Sequence, residues 1–339
     1  MTIAITVDPE IPVPPKHYGG IERIVDLLVR GLMQRGHRVV LFANRKSEVP
    51  CELEAYPAER SQNGADLLRN MAHVASRIRC CRPTLVHSFG RLAYLLPLLP
   101  LALPKIMTYQ RIITRRSVAF GERLARGTLH FTGCSGDLIK AFAGKPNWHV
   151  VYNGVSDACY TANYDVPANA PLIFLGRVEE IKGPHIAIEA AGASGRRLII
   201  AGNVPDEAKH RDFFDRCIRP HVDGRTVEYV GPVTDEEKNN LLRNAAALLM
   251  PVLWNEPFGI VMAEALACGT PVIGFRRGAI PEVVTDGVNG FVCSSPSEMS
   301  SLIGSLGQID RRACRRIFQE KLSDTVMVEA YTRVYAQAC

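Results

Sequence analysis

The sequence predicts an α/β protein with two doubly wound parallel sheets in tandem. Its 339 residues exceed the usual size of one domain, so two domains of about 150 residues each are expected. Short β-rich runs alternate with helical patterns as far as about Phe291, which is typical of successive βαβ units. The alternation pauses over residues 156–171, a polar stretch with two prolines, and then restarts.

Twelve strands are predicted, six on each side of this pause. The first six are Ile3–Asp8, Arg38–Ala43, Leu85–Ser88, Lys105–Tyr109, Leu129–Cys134 and Val150–Tyr152. The second six are Leu172–Gly176, Leu198–Gly202, Val227–Gly231, Leu248–Pro251, Val272–Phe275 and Gly290–Cys293. The clearest helix is Ile21–Arg35, where apolar residues share one face at helical spacing and Gly36 follows to end it. Another helix is expected to begin near Phe258 or Gly259 and to run to Cys268.

These patterns divide the chain into four parts. Residues 1–155 are the first domain, 156–171 a linker, 172–320 the second domain, and 321–339 a C-terminal helix that can cross back to the first domain. Two such sheets in tandem create a cleft, and ligands of doubly wound sheets bind outside the carboxyl ends of the strands. Functional residues are therefore expected where strands lead into helices.

Composition restricts the class of protein. The ten cysteines lack the spacing of a zinc site, so we expect buried thiols in a reducing cytoplasm. No basic region precedes the first strand, which argues against a signal peptide. The most apolar stretch, Leu92 to Leu103, contains two prolines and is far shorter than the roughly 20 residues that span a bilayer. We expect a cytoplasmic protein that can lie peripherally on the inner face of a membrane.

The charge is unevenly distributed along the chain. Residues 1–155 hold 21 basic against 11 acidic residues, and the remainder holds 19 against 23. A basic first half suggests an anionic acceptor or membrane surface, although solvated arginine-rich helices explain it equally well. Arg111, Arg115 and Arg116 are the candidates for contact with an anionic or lipid-linked acceptor. Nothing in the pattern of basic and aromatic residues favours nucleic acid.

Gly19 and Gly20 lie between the first strand and the first helix. Two glycines at a helix N-terminus let backbone N–H groups approach a phosphate closely. A structural turn accounts for them equally well. The G-x-G-x-x-G spacing of dinucleotide enzymes is absent, which counts against a dehydrogenase.

Arg177 and Lys182 follow the first strand of the second domain, five residues apart. Two cations at the carboxyl end of a strand can neutralise a pyrophosphate without a metal ion. On spacing alone, two solvated surface charges are the alternative.

Glu256 and Glu264 lie on either side of the start of the predicted helix after Leu248–Pro251. Glu264 falls among apolar residues, where a carboxylate needs donors such as ribose hydroxyls. Glu256 precedes the helix and can accept hydrogen bonds from sugar hydroxyls. The alternatives are a charge at a helix N-terminus for Glu256 and a buried salt bridge for Glu264.

Together these motifs give the whole chain a resemblance to the family 4 glycosyltransferases of the GT-B fold, once called group 1 transferases. The matching pieces, in an order and spacing that are highly specific, are Tyr18–Arg23, Gly36–His37, Val151–Val155, Gly176–Arg177 with Lys182–Gly183, Glu256, Glu264, Gly269–Ile273 and Pro281–Phe291.

The resemblance implies a role for each piece. The residues implied for donor binding are Gly19, Gly20, Arg177, Lys182, Gly202, Val233, Glu256, Phe258, Gly259, Ile260 and Glu264. The first two glycines would lie over the phosphates and the two cations would bind the pyrophosphate. Glu256 and the residues that open its helix would hold the sugar, Glu264 the ribose, and the region of Gly202 and Val233 the base. The implied catalytic residues are Glu256, Arg177, Lys182 and His87.

The implied reaction transfers a hexose-type sugar from a nucleoside-diphosphate sugar, UDP by family frequency, to an acceptor hydroxyl with retention of configuration. The nucleotide sugar is a substrate, so no cofactor is implied, and the D-x-D motif of metal-dependent transferases is absent. Arg177, Lys182 and a helix N-terminus would stabilise the leaving diphosphate.

Two positions depart from the family pattern. Many members carry His-x-His after the third strand and another histidine after the fourth, where this chain has Phe89 and Gln110 in place of the second and third histidines. His87 remains, either as a substitute contact to the sugar or as a structural histidine.

Two other functions stay open. One is a nucleotide-sugar epimerase or hydrolase of the same architecture. The other is a non-catalytic nucleotide-sugar-binding protein, which the missing histidines allow, although the intact set of Glu256, Glu264, Arg177 and Lys182 argues against it.

Overall fold

The computed structural model describes residues 1–15 and 19–339. The chain divides into two compact units, which we call unit 1 (Met1–Gly154 with Asp324–Cys339) and unit 2 (Val155–Ser323). Residues 156–171, expected from the sequence to be a linker, belong to unit 2. No helix in the described ranges is long and apolar enough to cross a bilayer.

Unit 1 contains a parallel sheet of seven strands. The strands are β1 (Thr2–Thr6), β2 (Arg38–Ala43), β3 (Glu52–Ala55), β4 (Leu85–Ser88), β5 (Lys105–Tyr109), β6 (Leu129–Gly133) and β7 (Trp148–Val150). The helices are α1 (Gly20–Gln34), α2 (Gly64–Cys81), α3 (Arg115–Ala125), α4 (Gly136–Ile139) and, after the whole of unit 2, α12 (Asp324–Ala338). The strand order is β3-β2-β1-β4-β5-β6-β7.

Two features of this sheet differ from the sequence prediction. The edge strand β3 was missed, because its four residues, ELEA, lack the apolar run that marked the other strands. The strand predicted at Val150–Tyr152 lies two residues earlier, at β7. Trp148 pairs there with Phe131, and its ring stacks 4.1 Å from that of Phe142, so packing of the tryptophan fixes the position of the strand.

Unit 2 contains a parallel sheet of six strands, all of which the sequence predicted. They are β8 (Leu172–Leu175), β9 (Leu198–Ala201), β10 (Val227–Gly231), β11 (Ala247–Met250), β12 (Val272–Phe275) and β13 (Gly290–Cys293), in the order β10-β9-β8-β11-β12-β13. The helices are α5 (Pro184–Ala193), α6 (Ala208–Cys217), α7 (Asp235–Asn244), α8 (Ile260–Ala267), α9 (Ile280–Val283), α10 (Pro296–Ile303) and α11 (Arg311–Lys321).

Each sheet has a point where the direction of winding reverses. In unit 1 it lies between β1 and β4, and in unit 2 between β8 and β11. At such a point the connections leave on opposite faces of the sheet and open a crevice at the carboxyl ends of the strands, where ligands of doubly wound sheets bind. The two reversals therefore mark where functional residues belong in each unit.

Helix α12 packs against α1 within unit 1. The predicted apolar face of α1 is buried, and Gly31 on this helix lacks a side chain where α12 approaches. A Cβ atom at Gly31 would lie 2.5 Å from Cγ2 of Val328, so only glycine allows this spacing between the helices.

The cysteines are free thiols, as expected from their spacing. Their burial was predicted less well, because Cys80, Cys159 and Cys339 are exposed.

Candidate functional site

Arg177 and Lys182 lie in the loop that leaves β8, at the reversal point of unit 2. The guanidinium of Arg177 is 2.8 Å from Glu179, a carboxylate only 3 % exposed, so the arginine is held in place and is not a freely solvated charge. Lys182 ends a single 3-10 turn, and Gly183 (φ +76°) then reverses the chain into α5. A side chain at Gly183 would overlap the carbonyl of Pro251, which brings this loop close to the end of β11.

Glu256 lies in the loop after β11 and forms an ion pair with Lys182. The Lys182 Nζ atom is 2.6 Å from Glu256 Oε2, and the indole Nε1 of Trp254 donates to the same oxygen at 3.0 Å. The ammonium also lies 4.8 Å from the centre of the Trp254 ring. Glu256 is 7 % exposed, and no described residue donates a hydrogen bond to its Oε1. One oxygen is thus fixed while the other can accept a hydroxyl.

Helix α8 begins next to Glu256. Gly259, in the left-handed conformation (φ +76°), precedes it, and the helix runs from Ile260 to Ala267, within two residues of the predicted limits. Phe258 is 2 % exposed, so its side chain belongs to the core. The side chain of Glu256 lies at this end of the helix, since a Cβ atom on Gly259 would be 3.3 Å from Cγ of Glu256, and the first N–H groups of a helix lack acceptors within it.

Glu264 is 5 % exposed and lies in the middle of α8. Its Oε1 accepts from the hydroxyl of Tyr160 at 2.8 Å and from Nζ of Lys238 at 2.6 Å. The buried salt bridge considered from the sequence is therefore present, while Oε2 accepts no hydrogen bond from the described residues. Burial alone lowers the pKa of Lys238, but the charges of Glu264 and Asp235 outweigh it and the pKa is raised. The lysine stays protonated.

Gly202 and Val233, the residues implied for the base, follow β9 and β10. The carbonyl of Gly202 accepts from the hydroxyl of Tyr229 at 2.9 Å, and a Cβ atom on Gly202 would overlap the carbonyl of Gly176. Glycine is thus required at this position by the close approach of two strand ends. Val233 is half-buried just before α7.

Gly19 and Gly20 begin α1 at the reversal point of unit 1; Tyr18 of the same motif lies outside the described residues. A Cβ atom on Gly19 would lie 2.6 Å from Cβ of Pro15 and 3.0 Å from Oε2 of Glu22. Packing alone accounts for glycine at position 19. The sequence left two explanations open, a phosphate site and a structural turn, and this packing agrees with the turn.

A cavity of about 210 Å³ opens beside this helix N-terminus. Its charged lining residues are Asp8, Glu10, Glu22 and Arg111, and Phe89 supplies an aromatic wall. The cavity is acidic although the first half of the chain is basic. Sequence reasoning missed the three carboxylates, and the signal that could have found them was the position of Asp8 and Glu10 directly after β1.

His87 is fully buried within unit 1. Its Nδ1 lies 2.8 Å from the hydroxyl of Tyr335, its Nε2 lies 2.6 Å from Oγ1 of Thr108, and its ring is 4.3 Å from that of Phe89. Burial lowers the pKa of His87 to about 3. Both nitrogens are occupied and no surface remains for a substrate, so this geometry favours the structural histidine over the sugar contact.

Gln110, the other departure from the family pattern, forms a reciprocal amide pair with Asn153. Its Nε2 donates to Oδ1 of Asn153 at 2.7 Å, and Nδ2 of Asn153 donates back to Oε1 at 2.8 Å. Gln110 thus fixes the loop that follows β7.

Arg115 and Arg116 are exposed in the first turn of α3. Two apolar side chains in the same segment are also exposed, Ile112 at 82 % and Phe120 at 54 %. Arginine beside exposed apolar side chains is a composition suited to an interface.

Within residues 1–15 and 19–339 no group of three or more histidine, cysteine, aspartate or glutamate side chains is arranged to hold a metal ion.

Residues 168–309 match the family described as glycosyl transferases group 1, and residues 18–158 match glycosyltransferase family 4. The glycogen synthase of Mycobacterium tuberculosis is 32 % identical over 167 residues, a match that covers 47 % of this chain and 39 % of that protein. The chain thus spans less than half the length of the curated relatives it matches.

Two solved structures extend the similarity to almost the whole chain. A glycosyltransferase involved in avilamycin A biosynthesis is 25 % identical, with a TM-score of 0.75 over 99 % of this chain and 97 % of that one. The Anabaena protein HepE, solved in complex with UDP-glucose, is 18 % identical, with a TM-score of 0.76 over 99 % of this chain and 100 % of that one. At that identity the second likeness concerns the fold alone.

Proposed function

We propose that this chain, which belongs to the group 1 glycosyltransferases of the GT-B fold, transfers a hexose-type sugar from a UDP-sugar to an acceptor hydroxyl, with retention of configuration and without a metal ion. The observation that carries the proposal is the Lys182–Glu256 pair, supported by Trp254, at the reversal point of unit 2. It combines a fixed cation for a phosphate with a carboxylate oxygen that is available to a sugar hydroxyl.

The two cations account for departure of the nucleoside diphosphate. Negative charge grows on the leaving phosphate during transfer, and preorganised cations stabilise it most effectively where water is scarce. Lys182 has a side chain only 19 % exposed and is held by Glu256, while Arg177 is held by Glu179. Both charges are therefore in position before the donor binds, so little reorganisation accompanies the reaction.

Glu256 has two tasks in this scheme. Its Oε2 orients Lys182, and its Oε1 accepts a hydrogen bond from a hydroxyl of the transferred sugar beside the N-terminus of α8. With retention, the leaving phosphate oxygen takes the proton of the acceptor hydroxyl on the face from which it departs, so no separate side-chain base is required.

Glu264 and the ends of β9 and β10 would bind the nucleoside. Tyr160 and Lys238 fix Oε1 of Glu264, which leaves Oε2 to accept from a ribose hydroxyl. Uridine is proposed as the base because UDP-sugars are the frequent donors of the family.

We place an anionic or lipid-linked group of the acceptor at the start of α3. Exposed Arg115 and Arg116 supply positive charge there, and Ile112 and Phe120 supply apolar surface. Arginine beside exposed apolar side chains binds anionic lipid surfaces peripherally. Sedimentation with vesicles should show binding to anionic vesicles but not to zwitterionic ones, and Arg115→Glu with Arg116→Glu should abolish it.

The central test uses UDP-glucose, UDP-galactose and UDP-N-acetylglucosamine with the wild-type protein and Glu256→Gln. We expect UDP and one UDP-sugar to raise the melting temperature, because a ligand that binds the native state stabilises it. Glu256→Gln should reduce turnover of that donor at least 100-fold while binding of UDP persists. The matched control is Glu59→Gln, which removes an exposed carboxylate paired with Arg45.

The same assay separates the alternatives. Conversion of the donor at full rate without any acceptor would indicate an epimerase or hydrolase. Binding of UDP with equal background hydrolysis in wild type and Glu256→Gln would indicate a non-catalytic binding protein. Retention is read from the anomeric proton of the product by NMR, and metal independence from full activity in excess chelator.

A further inference from the structure

None of the residues that line the acidic cavity of unit 1 was assigned to the donor. It lies at the carboxyl end of β1, beside the N-terminus of α1, where the winding of this sheet reverses. Among the described residues, three carboxylates and one arginine, Arg111, line it. Such a cluster is unusual in the basic half of the chain and needs an explanation of its own.

Glu22 is the most informative of the three. It is 7 % exposed, it lines the cavity, and no side chain among the described residues donates a hydrogen bond to its carboxylate. Burial raises its pKa, with only part of the effect offset by its own backbone N–H. A buried carboxylate without donors is destabilising, so a donor from a ligand would relieve a cost that the free protein carries.

Asp8 repeats this situation on the other side of the cavity. Its Oδ1 is buried and makes no hydrogen bond of normal geometry with a described residue, although Nε of Arg91 lies 4.0 Å away and the hydroxyl of Tyr94 is close. Burial raises the pKa of Asp8 and Glu10 raises it further, while Arg91, Arg111 and the hydroxyl of Tyr94 offset only part of the rise. Glu10 differs, because the backbone N–H and the hydroxyl of Ser61 both donate to its Oε1 at 2.6 Å.

The lining defines the chemistry of a ligand. The carboxylates of Glu22 and Asp8 require hydrogen-bond donors, and the three carboxylates of the lining together repel a phosphate or carboxylate group at close range. Phe89 and the aliphatic residues Val7, Ile11 and Ile21 form an apolar wall against which the face of a sugar or cyclitol ring can pack. A volume of about 210 Å³ is below the range of about 300 Å³ upward typical of drug-sized ligands, so the cavity suits a single ring.

We infer that this cavity is the acceptor subsite and that it selects a hydroxyl-rich ring carrying no phosphate or carboxylate on the part that enters, with Glu22 and Asp8 as the residues that accept from its hydroxyls. The inference rests on the proposed function, since it names the acceptor class of that reaction. An anionic group on the acceptor must then lie outside the cavity, as the placement of Arg115 and Arg116 on exposed surface allows.

Matched pairs of probes test the inference. Binding of glucose, N-acetylglucosamine and myo-inositol, and of a phosphate ester of each, is measured by ligand-observed NMR on the full chain in the presence of UDP. We expect at least one phosphate-free ring to bind, and its phosphate ester to bind at least tenfold more weakly. Glu22→Gln and Asp8→Asn should each weaken binding of that ring at least tenfold, whereas Glu59→Gln, at an exposed carboxylate paired with Arg45, should not.

The melting temperature of the Glu22→Gln variant distinguishes a ligand-binding role of Glu22 from a structural one. Because no side chain among the described residues donates a hydrogen bond to the Glu22 carboxylate, Glu22→Gln should leave the melting temperature unchanged or raise it, whereas loss of a structural contact would lower it. The inference is overturned if no phosphate-free ring binds, if the esters bind equally well, or if both variants bind like wild type. Failure of the proposed function would give a different result: UDP and the UDP-sugars would cause no thermal shift, while ring binding would persist.

Discussion

His87 and Tyr335 are separated by 248 positions in the chain, yet the imidazole Nδ1 and the phenol oxygen lie 2.8 Å apart in the core of unit 1. The ring of Tyr331, one turn earlier in α12, lies 5.0 Å from the same imidazole. The histidine of the strand end thus fastens the last helix of the chain to β4. Its role is to hold this helix in place.

Tyr335→Phe should lower the free energy of unfolding by about 1–3 kcal/mol, because it leaves Nδ1 of a buried histidine without a partner. Urea unfolding measures the loss. The control is Tyr164→Phe at a side chain that is 41 % exposed, which should change little. Reduced donor turnover at unchanged stability would contradict a purely structural role.

His87 also makes the protein sensitive to acid. Burial lowers its pKa from 6.5 to about 3. Between these two pH values His87 is therefore protonated in the unfolded chain and neutral in the folded chain. The contribution of His87 to the free energy of unfolding is complete above pH 6.5. It is lost toward pH 3, at about 1.4 kcal/mol per pH unit. Urea unfolding at pH 7.5 and pH 5 should show a smaller loss in His87→Gln than in wild type. His221→Gln, at an exposed histidine, should follow wild type.

Gly278 supports the position of Glu256. A Cβ atom there would overlap the backbone of Glu256, and the residue is left-handed (φ +57°). Gly278→Ala should therefore displace the carboxylate and reduce donor turnover at least tenfold. Gly287→Ala is a matched control, since Gly287 has φ +72° with nothing within 4 Å of its Cβ position, and it carries the same backbone strain without the overlap. Equal activity in the two variants would show that Glu256 does not need this support.

Glu264→Gln separates binding of the nucleoside from structural pairing. If Oε2 accepts from ribose, the dissociation constant for UDP should rise about tenfold, equivalent to about 1.4 kcal/mol. Loss of the charge beside Lys238 should also lower the free energy of unfolding. Calorimetric titration with UDP and urea unfolding measure the two effects. A drop in stability with unchanged UDP affinity would leave Glu264 as a salt-bridge residue only.

The fold was largely predictable because each buried parallel strand is a short apolar run bounded by turn residues. Strand β3 escaped because an edge strand needs no such run, and β7 was misplaced because packing of Trp148 decides its position. Residues 156–171 were predicted to be a linker because the stretch is polar. Single side chains nevertheless anchor it, and buried Tyr160 is one of them.

The site was predictable only in part. Motif spacing led to the cations and carboxylates of unit 2, but not to their partners, since Lys182 lies 74 positions from Glu256 and Tyr160 lies 104 from Glu264. In unit 1 the net charge suggested an anionic partner. A count over residues 1–155 does not reveal that Asp8 and Glu22 share one cavity. Such pairings depend on tertiary structure, which a local sequence pattern does not reveal.

Helix α12 follows unit 2 in the sequence but belongs to unit 1. As the polypeptide leaves the ribosome, residues 1–154 emerge before all of unit 2, and the face of α1 around Gly31 has no helix to cover it until Val328 and its neighbours follow. Unit 2, continuous from Val155 to Ser323, can complete its fold during synthesis, whereas unit 1 must wait. We therefore expect unit 2 to finish folding before unit 1, and nascent chains arrested before Asp324 should be the stage most dependent on chaperones.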